Sequence, residues 1–117
     1  MSLTISFIFL SEDFNENITT RNDLFGFESC RNELWGNRKL KELGCTVIPK
    51  LKDNDLFIVQ EELYELYKDC EIILENSSEI SSATNYSSEF IQFRINNLLS
   101  FVEIALKNKE YLGINIS

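Results

Sequence analysis

The chain has 117 residues, 44% of them hydrophobic and 26% charged, which is enough apolar material for one autonomously folding domain over residues 1–117 and excludes a disordered tail. Nineteen acids against eleven bases leave a net charge of -8, so phosphate backbones are repelled overall and nucleic acid is not an expected partner. The absence of histidine removes the commonest general base, the commonest metal ligand and every Ser-His or Cys-His nucleophilic pair.

Taken in chain order, Thr4 to Leu10 alternates Ile5, Phe7 and Phe9 with polar residues and predicts a half-buried strand. Ser11 to Asn22 is polar and acidic and reads as a loop. Phe27, Cys30 and Leu34, then Leu40 and Leu43, return at helical spacing. They predict a helix from about Phe27 to Trp35, a break at Gly36-Asn37, and a short helix to Leu43 closed by Gly44. Cys45–Ile48 and Leu56–Val59, on either side of a charged loop, predict a hairpin. From Gln60 onward Leu63, Leu66, Tyr67, Cys70, Ile73 and Leu74 mark one face of an amphipathic helix, with Glu61, Glu65, Lys68 and Asp69 opposite.

Asn76 to Ser88 is serine-rich and reads as a linker, with Ser87 or Ser88 as the N-cap of a last helix. On that helix Ile91, Ile95, Leu98, Val102 and Ala105 form the buried stripe, and Gln92, Asn96, Ser100, Glu103 and Lys107 the polar face. Leu112, Ile114 and Ile116 alternate with small and polar residues, so a closing strand is available to pair with the first. The fold class that follows is α+β, with three to four helices packed on a small antiparallel sheet that includes the N- and C-terminal strands.

Catalytic motifs are scarce. The four glycines are dispersed, so neither a phosphate-binding glycine loop nor a nucleophile elbow can form. Cys30, Cys45 and Cys70 are odd in number and never adjacent in a C-x-x-C pair, which points to free buried thiols in a reducing compartment. Asp53-Asn54-Asp55 opens like a calcium loop but lacks the glycine and the glutamate that complete one. No cofactor or metal is expected. A pair of carboxylates is the only route to hydrolysis left by this composition. The N-terminus lacks the features of a signal peptide and no apolar run is long enough for a bilayer, so the expected location is the cytoplasm, away from membranes.

Two features point to binding. Arg94 falls within the apolar arc of the last helix, where a guanidinium must either lift its head to water, pair with a carboxylate or hold a ligand. Glu71 is the first partner to consider. Charge is also uneven: Arg31, Arg38, Lys39, Lys41, Lys50 and Lys52 fall in one stretch, while Asp53 to Glu79 is strongly acidic. Glu61, Glu65 and Asp69, with Ile72 projecting among them, then form a docking face for a basic protein partner.

Acidity, size and the layout of strand, helices and closing strand resemble the small bacterial immunity proteins that neutralise partner toxins. The segments that look most like that family are Phe27 to Gly36, Leu43-Gly44 and Arg94 to Leu98. The resemblance implies a binding module with no catalytic activity, antitoxin-like, whose acidic surface plugs the basic cleft of a toxin domain. The alternatives are a structural or regulatory subunit forming a homodimer through sheet edges or through Trp35, and a carboxylate-based hydrolase.

Overall fold

The computed structural model describes residues 2–14, 18 and 22–117, so residues 15–17 and 19–21 of the expected loop lie outside the described residues. Among the described residues four strands, β1 (Ser2–Phe9), β2 (Leu24–Phe27), β3 (Leu56–Ile58) and β4 (Leu112–Ile116), form one antiparallel sheet in the order β2-β1-β4-β3. Among the described residues four α-helices accompany it: α1 (Arg38–Leu43), α2 (Glu62–Glu75), α3 (Ser77–Ala83) and α4 (Ser88–Lys107). The chain is α+β, and its first and last strands are the central pair of the sheet.

Register explains why the two ends meet. Ile5 pairs with Ile116, Phe7 with Ile114 and Phe9 with Leu112, which places the apolar residues of both strands on one face. Leu56 and Ile58 of β3 extend that face through Ile116 and Ile114. Apart from Phe9, which is 61% exposed at the end of β1, the face is buried together with Leu63, Leu66, Cys70 and Ile73 of α2 and the stripe Ile91, Ile95, Leu98, Val102 and Ala105 of α4. Burial of each such side chain is worth about 1.5–3 kcal/mol, so this layer dominates folding. Ser87 caps α4 by accepting a hydrogen bond from the Phe90 amide at 3.1 Å.

Three expectations change. The helix expected from about Phe27 to Trp35 is present only in its second half. Leu24–Phe27 is a strand, and a single π-helical turn, Arg31–Trp35, follows it, closed by the Gly36 amide donating to the Arg31 carbonyl at 2.7 Å. The turn buries Trp35, which stacks on Phe25 at 4.3 Å and donates its indole N–H to the Phe25 carbonyl, so Trp35 is core and not an interface. α1 then ends at Gly44 in the left-handed conformation, φ 109°, as its sequence predicts.

Cys45–Ile48 is not a strand either. A 3-10 helix, Ile48–Lys52, begins there with Pro49 in its first turn, and β3 pairs with β4 instead. The serine-rich linker contains α3, held by buried Ile80 and by Gln92 donating to the buried Ser77 hydroxyl at 2.9 Å.

Candidate functional site

α2 is the most acidic element, and its two flanks differ. Tyr64, Lys68, Glu71 and Glu75 recur at helical spacing on the outward side, with Glu61 at the N-cap and Glu65 beside them. Glu65, Glu71 and Glu75 are exposed and make no ion pair among the described residues. The sequence-derived face of Glu61, Glu65, Asp69 and Ile72 omits Tyr64, Glu71 and Glu75, although their spacing from Lys68 places them on the outward side.

Asp69 does not belong to that face. It is 1% exposed, and its carboxylate accepts the amides of Thr46 at 3.0 Å and of Val47 and Ile48 at 2.8 Å each. Three consecutive amides around one carboxylate are a charge-assisted clamp that fixes the entry to the 3-10 helix onto α2. Ile72 is likewise withdrawn: it is half-buried and packed against the core, with its Cδ1 beside the turn at Gly44. A helical wheel of α2 puts Ile72 among the charged residues and Asp69 at their edge, and the chain between α1 and β3 packs against both.

Glu61 remains exposed but is engaged. Lys109 Nζ lies 3.1 Å from its carboxylate and 5.2 Å over the Tyr64 ring, and Glu61, then Tyr64, hold that ammonium above its ordinary value. Glu62 meets Lys50 at 3.4 Å.

The basic stretch is also partly answered by acids. Arg31 is gripped by Glu28 and Asp55; burial works against its charge, but the two carboxylates outweigh this and raise its pKa. Arg38 pairs with Glu42 at 3.3 Å and Lys39 with Glu79 at 3.2 Å. A cleft of about 540 Å³ opens there, bordered by Asn32, Arg38, Lys39 and Lys52, with Glu42 inside its rim. The simple acidic-to-basic dipole expected from the sequence is therefore blunted, although exposed pairs of this kind contribute only about 0–1 kcal/mol each and leave the net charge at -8.

Arg94 makes no ion pair with Glu71. Its guanidinium carbon sits 4.4 Å from the centroid of Phe90 and 5.0 Å from that of Phe93. Its Nε is buried without an acceptor among the described residues. Two cation-π contacts therefore take the place of the expected ion pair. An unsatisfied buried donor costs about 1–3 kcal/mol, which makes this side chain an anomaly of the fold. The Phe90-x-x-x-Arg94 spacing, one turn of α4, is the sequence signal that points to it.

The three cysteines are free and buried. Burial, reinforced by the charge of Asp69, pushes the Cys45 thiol up to about 12 and raises Cys70 as well, so both are held as inert thiols. Among the described residues no three Asp, Glu or Cys side chains converge as metal ligands, and no helix is long and apolar enough to cross a membrane. No known family profile, characterised protein or solved structure matches this chain.

Proposed function

We propose that the chain is a protein-binding module of the immunity or antitoxin kind, working in the cytoplasm and docking a basic partner, such as a toxin domain, through the outward flank of α2. The observation that supports this reading is the row of exposed carboxylates Glu65, Glu71 and Glu75, without ion pairs among the described residues and grouped around Tyr64, which is 51% exposed. Glu61 adds to the row's potential at longer range. The Asp69 clamp ties α2 to the 3-10 helix, so the row is presented by a fixed element, and the net charge of -8 steers a cationic surface towards it.

The test is a capture experiment from the source cells with the full chain as bait, in parallel with a Glu65→Lys/Glu71→Lys/Glu75→Lys variant. A basic protein retained by the first bait and lost with the second is the expected result. Equal retention by both baits contradicts docking through this face.

Self-association is the second reading, and one observation favours it. Phe57, on the edge strand β3, is 67% exposed. Sedimentation of the chain and of Phe57→Lys separates the two readings, since a homodimer built on this edge dissociates in the variant.

A further inference from the structure

A second surface, independent of the α2 flank, lies where β2 meets the first turns of α4. Phe27 lies over Phe90 with centroids 6.1 Å apart, Tyr86 approaches the same ring at 5.3 Å, and Arg94 spans Phe90 and Phe93. Phe27 is 51% and Phe93 44% exposed. Single exposed apolar residues are ordinary, but a continuous aromatic cluster around an arginine has the composition of an interface hot spot.

Two observations define what this surface takes. The first concerns the backbone of β2, whose edge is already occupied by side chains. The Leu24 amide donates to Asn22 Oδ1, the Leu24 carbonyl accepts from Asn97, the Phe25 carbonyl accepts from Trp35, and the Phe27 amide donates to Cys30 Sγ. Strand addition is therefore blocked, and docking must proceed through side chains.

The second is the state of Arg94. Its guanidinium is oriented by two rings, makes no ion pair among the described residues and has a buried Nε–H with no acceptor. The buried Nε–H is out of reach of an incoming group, but the terminal Nη groups, which make no hydrogen bond among the described residues, are donors already in place for a carboxylate arriving from outside. Around this cationic centre the rim is acidic, with Glu28, Glu33 and Glu89 exposed. Glu28 is bound to Arg31 and Glu33 accepts the Tyr86 hydroxyl at 2.8 Å, so both are fixed in position.

We infer that this surface docks a protein segment presenting an Asp or Glu carboxylate beside an apolar side chain, in otherwise basic surroundings. The carboxylate meets Arg94, the apolar side chain covers Phe27 and Phe93, and the flanking bases face the glutamates of the rim. A second copy of the chain would set acidic rim against acidic rim and is not the occupant.

The test is an NMR titration of the isotope-labelled full chain with the capped peptide KKLDFKK and with its counterpart KKLNFKK. The inference predicts saturable shifts at the amides of Phe27, Phe90 and Phe93 and at the Arg94 Nε–H. Loss of the single charge-assisted contact makes the Asn peptide bind about fivefold more weakly or worse, and Arg94→Gln has the same effect on the Asp peptide. Should Arg94→Gln fail to fold, the comparison of the two peptides on the native chain decides alone. Equal binding of the two peptides, or no saturable shift up to millimolar peptide, overturns the inference. Shifts confined to α2 overturn it while leaving the acidic-flank reading intact. Shifts at these residues on concentrating the protein alone overturn it in favour of a homodimer.

Discussion

Asp69 and Glu65 stand one helical turn apart on α2, carry the same charge, and do opposite things. On Asp69's side the chain between α1 and β3 folds over the helix, and the carboxylate is consumed in holding the amides of Thr46, Val47 and Ile48. Glu65, a turn nearer the N-terminus, is left exposed, as are Glu71 and Glu75 further round the helix, all without ion pairs among the described residues. The difference teaches that a row of acids on a helix is two populations until the neighbouring chain is placed. Those whose oxygens find backbone amides are structural, and those left facing solvent are available to a partner.

The contrast is broken most forcefully at the buried flank. Asp69→Ala leaves three amides without their acceptor and is expected to destabilise the protein by about 3 kcal/mol, measured by urea unfolding. Asp69→Asn, which keeps the shape and one acceptor oxygen, should fall between the two. If Asp69→Ala costs no more than a surface change, the clamp does not hold the loop.

Alkali addresses the same flank. Cys45 and Cys70, beside Asp69, have folded-state pKa values above the ordinary 9.0, with Cys45 at about 12. The sign follows from which state ionises first. Their contribution is fully present below pH 9 and is lost as pH rises towards 12, because the unfolded chain gives up these protons first. Stability should therefore fall above pH 9 by up to about 1.4 kcal/mol per pH unit for each thiol. Cys70→Ala should flatten the slope by one thiol's share, read from unfolding curves taken across that range.

Gly44 tests the turn that covers Ile72. An alanine there has room, its Cβ reaching Ile72 Cδ1 at 3.8 Å, but must adopt φ 109°. Gly44→Ala is expected to cost about 1 kcal/mol of stability through backbone conformation alone. The outward flank gives the smallest effect. Neutralising Glu65, Glu71 and Glu75 to glutamine should shift stability by no more than about 0.5 kcal/mol, since these groups make no contact whose loss unfolding would detect.

Legibility followed the same division. The stripe of α4, the Gly44 cap, the Ser87 cap and the pairing of β1 with β4 could be read because each rests on local periodicity or local capping chemistry. The hairpin at Cys45 could not, because its β-branched residues are bent by a carboxylate more than twenty positions away, at Asp69. Tertiary contact overrode propensity there. The expected linker became α3 because one buried residue, Ile80, with a buried serine satisfied by Gln92, is enough to hold a short helix against α4. At the candidate site, Glu65 was visible as an exposed acid, whereas the exposure of Glu71, expected as the partner of Arg94, the engagement of Glu61 by Lys109 and the stacking of Arg94 on Phe90 needed three-dimensional neighbours.

The most direct measurement is the association rate constant of the chain with its captured basic partner as a function of salt, for the native protein and for Glu65→Gln/Glu71→Gln/Glu75→Gln. Electrostatic steering by the outward flank predicts a native rate that falls steeply as salt rises and a variant rate that is slower at low salt and nearly flat. Identical rates and identical salt slopes for the two proteins would contradict the account.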